Sequence, residues 1–356
     1  MKITVIGGGN IGTLMAAEMA AKGHEVTLYT SKPEQWNHKI EVYDPCDHLI
    51  LTGEIYKITS DMQEAVCDAA VVWIVTPAQT FKEVAEKLLP YAKSGQYIGV
   101  VPGSGGAEFA FRHLIDAGCV LFGLQRVHSI ARLKEYGKSV YMLGRKNQLE
   151  LGAIPSDAGE KIAPVLEKMF DMPCRLLPNY LSVTLTPSNP ILHTTRLYCM
   201  FKDYGKDVIY PRNFLFYEEW NMESAEWLIA CDGELQALCE EIPLELKEVK
   251  SLREYYESYD AWAMAEKLKS IKAFKGLTSP MKQTEGGWIP DFESRYFVAD
   301  FSYGLKIIKD IAELFGVAAP HIDTVWKWFT DVAILPGETV FGLEICDKNE
   351  FVRLYE

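Results

Sequence analysis

The chain has 356 residues and a formal net charge of −13 at pH 7, with 48% hydrophobic and 24% charged residues. This composition is typical of a globular protein that folds in water, and the length favours two domains. The acidic balance argues against nucleic acid or an anionic membrane as a partner. The eight cysteines show no C-x-x-C spacing, which predicts reduced thiols in a cytoplasmic protein and no metal site. The sequence also lacks an apolar run long enough to span a membrane.

The N-terminal stretch predicts a nucleotide-binding turn. A short β-forming segment, residues 2–6, leads into glycines and then into a helical pattern over 14–21. Gly7, Gly9 and Gly12 have the G-x-G-x-x-G spacing of a dinucleotide-binding βαβ unit, in which the helix N-terminus faces the phosphates. A glycine turn without a ligand is the alternative. The predicted cofactor-binding residues here are Gly7, Gly9, Asn10, Ile11 and Gly12.

The end of the second predicted strand, residues 25–30, bears on the choice of cofactor. An Asp or Glu about 20 residues beyond the glycines would bind the ribose of NAD. This chain has Thr30, Ser31 and Lys32 there instead. Two hydroxyls and a cation suit a 2′-phosphate, so the sequence favours NADP(H), with NAD(H) as the alternative if Lys32 is only a solvated loop charge.

Strands and helices alternate up to about residue 170. The apolar run 69–75 is typical of a parallel strand buried on both faces. It ends at Thr76 and Pro77, which we expect at the carboxyl end of the sheet, where open α/β sheets bind ligands. Further strands are predicted over 97–101, 119–124 and 139–144, and helices over 81–89 and 156–170. The glycine cluster 102–106 is either a nicotinamide contact or a plain turn.

Helical periodicity dominates beyond residue 180. Leu228, Cys231, Leu235 and Leu238 recur at intervals of three and four, which predicts a helix that ends before Pro243. Further helices are predicted over 259–271 and 301–315. The predicted fold class is therefore α/β, with an N-terminal Rossmann-type parallel-sheet domain, residues 1–180, followed by an all-helical C-terminal domain, residues 181–356.

Two stretches of the second half carry candidate chemistry. Asn189 suits a helix N-cap and Pro190 the first helical position, which would place His193 in the first turn. A histidine can exchange a proton near neutral pH, although a structural role is more common. Asp300 likewise suits the N-cap of the helix after it. Arg295 offers a planar fork for a carboxylate of a substrate or of a protein salt bridge.

Six short segments occur in a characteristic order along the chain. They are Gly7-x-Gly9-x-x-Gly12, Val75-Thr76-Pro77-Ala78, Pro102-Gly103-x-Gly105-Gly106, Asn189-Pro190-x-x-His193, Ser294-Arg295-Tyr296-x-x-x-Asp300, and residues 311–317 with Pro320 and Asp323 after them. Together they resemble the opine dehydrogenase family, also called the octopine/nopaline dehydrogenase family, over nearly the full chain. The resemblance implies NAD(P)H-dependent reductive condensation of an α-keto acid with the amino group of an amino acid.

The same resemblance implies roles for four residues. His193 would be the acid/base, Asp300 its orienting partner and Arg295 a ligand of a substrate carboxylate, with Asn189 also in the substrate site. The implied partners are an α-keto acid and an amino acid, without nucleic acid or membrane, and a homodimer is left open. One alternative is a ketopantoate-reductase-like or glycerol-phosphate-dehydrogenase-like reductase, which would rely on a catalytic lysine. Another is a non-catalytic NADP(H)-binding sensor.

Overall fold

The structure, a computed structural model, describes residues 1–205, 207–333, 343 and 345–356. The chain forms two compact units. The first consists of Met1–Thr184 together with Arg353–Glu356, and the second of Leu185–Val352. The last four residues thus return to the first unit, whereas the sequence grouped them with the second domain. Tyr355 is buried in the first unit through a pairing that no local pattern reveals.

The first unit, all of whose residues are described, is built on strands joined by helices. Its strands are β1 Lys2–Ile6, β2 Glu25–Tyr29, β3 Lys39–Tyr43, β4 Leu49–Glu54, β5 Lys57–Thr59, β6 Val71–Ile74, β7 Tyr97–Val100, β8 Val120–Leu124, β9 Ser129–Glu135, β10 Ser139–Arg145, β11 Leu149–Ile154 and β12 Cys174–Leu176. Its helices are α1 Asn10–Ala21, α2 Met62–Val66, α3 Phe81–Leu88, α4 Ala107–Ala110, α5 Arg112–Asp116, α6 Gly159–Phe170 and α7 Leu181–Thr184.

The main sheet has the order β12-β11-β8-β7-β6-β1-β2-β5. All neighbouring strands are parallel except β11, which runs antiparallel to β8. The side chains of β6 are buried on both faces, as its continuous apolar sequence predicts. From β1 the chain proceeds to β2 on one side and later returns to β6 on the other. The carboxyl ends of β1 and β6 therefore form a topological switch point, where ligands of such sheets bind.

A second sheet of the first unit has the order β4-β3-β10-β9. The predicted strand 139–144 lies here as β10, and the sequence analysis did not identify β3, β4 and β9. This sheet packs on α1, where a Cβ at Gly53 would lie 2.3 Å from the Ala17 carbonyl oxygen. Residues 12–19 of α1 are buried all round, because the helix has the main sheet on one side and the second sheet on the other.

Glu108, in α4, is fully buried and joins three separate parts of the first unit. Its Oε1 atom accepts hydrogen bonds from the hydroxyls of Thr184 and Tyr355. Its Oε2 atom has no hydrogen-bond partner in this fully described unit. Burial outweighs these hydrogen bonds and raises the pKa of Glu108 to about 7.

The second unit is mainly helical in its described residues. Its helices are α8 Thr194–Phe201, α9 Met222–Glu241, α10 Leu252–Tyr255, α11 Ala261–Ser270, α12 Arg295–Asp300, α13 Lys306–Phe315, α14 Pro320–Val332 and α15 Lys348–Arg353, which runs just past the unit boundary. A hairpin, β13 Met281–Thr284 and β14 Gly287–Pro290, adds two strands that the sequence analysis did not foresee. Two π-helical turns, Ser188–His193 and Phe301–Leu305, precede α8 and α13.

Helix α9 shows why the helical predictions succeeded. Asn221 caps its start by accepting a hydrogen bond from the Ser224 N–H, and the predicted apolar stripe from Leu228 to Leu238 is buried. In the described part of the chain, no helix is both long and apolar enough to cross a bilayer. The structure confirms the predicted fold class of a Rossmann-type sheet domain followed by a helical one.

Candidate active site

The three spaced glycines of the turn after β1 differ in their surroundings. Gly7 has a φ of +117°, and a Cβ there would lie 2.8 Å from the Val75 carbonyl oxygen. A Cβ at Gly12 would lie 1.9 Å from the Gly7 carbonyl oxygen, so only glycine lets α1 start this close to β1. A Cβ at Gly9 would meet no protein atom within 4 Å. The turn thus has an open face, and it fits the pyrophosphate of a dinucleotide.

The first residues of α1 contribute backbone rather than side chains to this face. The side-chain oxygen of Asn10 accepts a hydrogen bond from the Leu133 N–H at 2.8 Å, which ties the helix start to β9. The Ile11 side chain packs against the apolar core. The N–H groups of the first helical turn lack intrahelical acceptors by geometry, and Gly9 in the N-cap position makes no side-chain cap. An anion is the partner that such N–H groups favour.

The segment after β2 presents a cation and a hydroxyl on the surface. Thr30 is only 6% exposed, and its hydroxyl accepts a hydrogen bond from the Lys32 N–H at 3.4 Å. Ser31 and Lys32 are exposed, and the Lys32 ammonium forms no ion pair with any residue that the structure describes. Of the three residues predicted to contact a 2′-phosphate, Ser31 and Lys32 therefore have side chains available for one.

Thr76 and Pro77 follow β6 directly beside the glycine turn. The Thr76 hydroxyl accepts a hydrogen bond from the Thr80 hydroxyl at 2.8 Å, and its methyl carbon would lie 3.0 Å from a Cβ at Gly7. Pro77 is exposed. The structure thus brings the predicted cofactor residues of β1 and β6 together at the switch point.

The candidate catalytic residues come together in the second unit, where its two π-helical turns pack side by side. His193 ends the first turn, and Asp300 is the last residue of α12, immediately before the second. Gly304 permits this packing, since a Cβ there would lie 3.0 Å from the Pro190 ring. Such widened turns often occur at functional sites because they redirect side chains that a regular helix would place elsewhere.

Both ring nitrogens of His193 have protein partners. Nδ1 lies 2.8 Å from Oδ2 of Asp300, and Nε2 lies 2.9 Å from the hydroxyl of Tyr217. All three side chains are buried, with exposed fractions of 6%, 8% and 5%. Because an ionised carboxylate only accepts, Nδ1 carries the proton and the lone pair of Nε2 accepts the Tyr217 O–H. This tautomer leaves Nε2 as the basic atom.

Neither Asn189 nor Asp300 is the N-cap that the sequence predicted. Asn189 is the second residue of a π-helical turn that starts without a side-chain cap, and its exposed amide has no hydrogen bond to a described residue. Asp300 lies inside a continuous helical stretch, because α12 runs directly into the second π-helical turn. Its carboxylate is engaged by His193 rather than by backbone N–H groups.

Arg295 is the first residue of α12 and is exposed. The sequence left a salt bridge open as its role, but it forms none with the described residues. Its guanidinium carbon lies 5.9 Å from the ring centre of Tyr296, whose ring is in turn 4.6 Å from that of His193. A guanidinium that forms no salt bridge with a described residue, and that lies beside the Tyr296 ring packed on His193, is suited to bind a carboxylate.

Two residues of this site were missed by the sequence analysis. Tyr217 lies 24 residues beyond His193 in an irregular segment with no motif. Arg196 follows His193 by one helical turn, is 4% exposed, and donates to the backbone oxygens of Phe216 and Glu219. The only signal in the sequence is that Arg196 lies in a largely apolar helical segment. An arginine buried there requires hydrogen-bond acceptors nearby.

Two family models match parts of this chain, and several known proteins are similar to nearly all of it. The family model described as NAD/NADP octopine/nopaline dehydrogenase, alpha-helical domain, matches residues 176–333, and the model of the NAD-dependent glycerol-3-phosphate dehydrogenase N-terminus matches residues 2–103. The octopine dehydrogenase of Mizuhopecten yessoensis is 27% identical over 92% of this chain and 89% of its own length. The opine dehydrogenase of Haliotis discus hannai is 28% identical over 98% and 94%.

A solved structure resembles the fold closely. It is that of an octopine dehydrogenase with NADH and L-arginine, and it has a TM-score of 0.84 over 98% of this chain and 94% of that one, at 24% identity. The resemblance inferred from the ordered motifs is thereby confirmed in both halves of the chain. Residues 176–333 of the chain match the helical domain of the octopine/nopaline dehydrogenase family, also called the opine dehydrogenase family, and nearly the whole chain is similar to octopine and opine dehydrogenases.

Proposed function

We propose that this protein is an NAD(P)H-dependent opine dehydrogenase. It condenses an α-keto acid reductively with the amino group of an amino acid and forms an N-(1-carboxyalkyl)-amino acid. The observation that carries the proposal is the buried His193–Asp300 pair, with its 2.8 Å contact, inside the part of the chain that matches the family's helical domain. Fold alone would not support it, because many reductases share a Rossmann domain.

His193 is suited to the proton transfers of this reaction. Formation of an imine requires that an ammonium group lose a proton, and that the oxygen of the carbinolamine gain one so that water can leave. A neutral imidazole can take the first proton and return it for the second step. Asp300 holds the ring in one tautomer and stabilises the imidazolium that forms between the two steps.

Arg295 and Asn189 are the proposed ligands of the substrate. Both residues are exposed in the second unit, and neither side chain forms a hydrogen bond or ion pair with the described residues. Both substrates carry a carboxylate, and a guanidinium binds a carboxylate through two parallel hydrogen bonds. The amide of Asn189 can donate to and accept from the same substrate.

The glycine turn is suited to hold the cofactor. The open face at Gly9 and the N–H groups of α1 would bind the pyrophosphate, with Thr76 and Pro77 beside them. A bound nicotinamide dinucleotide supplies the hydride that reduces the imine. The protein's own part is to bind, to orient and to move protons.

We propose NADP(H) as the preferred cofactor, with NAD(H) as the alternative. The support is that Ser31 and Lys32, just after β2, are exposed and that Lys32 forms no ion pair with a described residue. A 2′-phosphate would lie at this place in a Rossmann domain. The check is kcat/KM with NADPH and with NADH under equal conditions. A higher value with NADH would contradict the preference without affecting the proposed reaction.

The reaction is tested by NADPH oxidation in a matrix of α-keto acids against amino acids, with mass spectrometry of the products. We expect oxidation only when a keto acid and an amino acid are both present, and a product with the mass of the secondary amine. Oxidation by a keto acid alone would favour the hydroxy-acid reductases instead. Cofactor binding without turnover in any pair would favour a non-catalytic sensor.

A further inference from the structure

The Tyr217 hydroxyl is hydrogen-bonded to the His193 nitrogen that must exchange protons with the substrate in the proposed reaction. Nε2 is the basic nitrogen of the ring, and its partner within 2.9 Å is the Tyr217 hydroxyl. A substrate group could therefore reach Nε2 only after this hydroxyl has moved away, or else through it. The surroundings of Tyr217 decide between these two routes.

The segment that carries Tyr217 is held firmly in place. Arg196 donates to the Phe216 carbonyl at 3.1 Å and to the Glu219 carbonyl at 2.7 Å, so it binds the backbone on both sides of Tyr217. The Tyr217 ring stacks on Phe274, with centres 4.0 Å apart and planes inclined by 19°. Arg196 lies three positions after His193, and the same short stretch of chain therefore positions both partners of the hydrogen bond.

This attachment argues against displacement. Moving the hydroxyl away from Nε2 would break the ring stacking, or would break hydrogen bonds from the buried Arg196 guanidinium to the backbone carbonyls beside Tyr217. A hydroxyl that donates to Nε2 still has lone pairs, with which it can accept a proton from a second group. No other hydrogen bond of this hydroxyl is formed by the described residues.

We propose that the Tyr217 hydroxyl relays protons between the substrate and Nε2 of His193. The inference rests on the proposed function and adds a residue to it. In the first step the substrate ammonium gives a proton to the Tyr217 oxygen while the Tyr217 proton moves to Nε2, which leaves a free amine and an imidazolium. In the second step the imidazolium returns its proton to the Tyr217 oxygen, and the hydroxyl protonates the carbinolamine oxygen, which departs as water. After both steps, His193 and Tyr217 have returned to their starting protonation states, and the proton lost by the ammonium has left in the water.

Tyr217 remains neutral in both steps. Burial, with a smaller effect of the neighbouring Tyr296, raises the pKa of Tyr217 well above that of a free tyrosine. A tyrosinate is therefore not an intermediate, and the two protons of each step move together. A relay of this kind has an isotope signature that a purely structural residue lacks.

The test compares the unchanged protein with Tyr217→Phe, which removes only the hydroxyl, and with Tyr210→Phe as a control. Tyr210 is a half-buried tyrosine of the same unit whose ring packs against Phe201. NADPH oxidation is measured at saturating keto acid and amino acid in mixtures of H2O and D2O. We expect kcat to fall about 10²-fold or more in Tyr217→Phe, within the range of general acid/base contributions. The dependence on D2O fraction should change from curved, for two protons in flight, to linear. Tyr210→Phe should match the unchanged protein.

Two results would overturn the relay. One is an unaltered kcat and D2O dependence in Tyr217→Phe, and the other is a lower KM at unaltered kcat, which would identify the hydroxyl as a plug that the substrate displaces. If Tyr217→Phe does not fold, 3-fluorotyrosine at position 217 keeps the ring and alters the acidity of its hydroxyl, and an unaltered kcat and isotope effect would again refute the relay. If no pair of keto acid and amino acid makes the unchanged protein oxidise NADPH, the proposed function is refuted, and the relay is refuted with it.

Discussion

The substitution Asp300→Asn tests the charge behind the acid/base residue. It preserves the shape of a buried side chain that lies 2.8 Å from Nδ1 of His193. An amide lacks the negative charge that stabilises the imidazolium. It can also present its N–H2 group to the ring, which would force the proton onto Nε2 and turn an N–H toward the Tyr217 hydroxyl.

The size of the effect follows from these two losses. A hydrogen bond to a charged group contributes about 1.5–3 kcal/mol, and each 1.4 kcal/mol is about a factor of ten in rate. Loss of the charge alone should therefore lower kcat by roughly 10- to 100-fold. If the tautomer is also inverted, the loss should approach about 10⁴-fold, as for the equivalent carboxylate of a catalytic triad.

The assay is steady-state NADPH oxidation with the keto acid and amino acid pair found in the matrix. Binding of NADPH, measured by fluorescence, should be unaltered, because the predicted cofactor residues lie in the first unit. Asp331→Asn serves as the matched control, since Asp331 is an exposed carboxylate that pairs only with Lys327 among the described residues. A kcat for Asp300→Asn equal to that of the control would refute the orienting role.

Three further outcomes are expected. Gly9→Ala should leave the midpoint of thermal unfolding unaltered and weaken NADPH binding about tenfold or more, because its methyl group meets no protein atom but enters the anion-binding face. Gly12→Ala should weaken NADPH binding and also lower the midpoint of thermal unfolding, because its methyl group would clash with the Gly7 carbonyl oxygen. Equal midpoints for the two variants would contradict this steric explanation. Arg295→Gln should raise the KM of one substrate about 10- to 100-fold, as expected for loss of a charge-assisted hydrogen bond, and an unaltered KM for both substrates would remove Arg295 from the site. Glu108 should make the protein less stable as the pH rises from about 4.5 to about 7, because folding raises its pKa to about 7 and so favours the protonated form. Above that range the free energy of unfolding should be lower by about 3 kcal/mol. In Glu108→Gln the midpoint of thermal unfolding should therefore fall less between pH 5 and pH 8 than in the unchanged protein. An equal fall would refute the raised pKa of Glu108 as the cause.

The elements that were predicted well are those in which local pattern and burial agree. The continuous apolar run of β6 and the apolar stripe of α9 from Leu228 are buried as expected. A strand buried on both faces is apolar throughout, and a helix buried on one side is apolar at every third or fourth residue. Strands β3, β4 and β9 were missed because more than half of the residues in each are exposed or half-buried, so none of the three forms a continuous apolar run. Strand β12 has only three residues, none of them fully buried, and leaves almost no pattern.

At the site, residue types were predicted more reliably than local conformations. The resemblance to the opine dehydrogenase family identified His193 and Asp300, which the structure places in contact. Asn189 and Asp300 were predicted wrongly as N-caps, because the preference of Asn and Asp for N-caps ignores the π-helical turns in this part of the chain. Tyr217 could not be predicted at all, since only tertiary packing brings its segment to the histidine.

The hydrogen bonds of Glu108 have a consequence for the order in which the protein can be assembled during synthesis. Thr184 is available once half of the chain has been made, but Tyr355 is added only after the whole second unit. Until then, the nascent first unit contains a buried carboxyl group that lacks one of its two donors and the ring that covers it. The packing of the first unit is therefore complete only after Arg353–Glu356 have been synthesised.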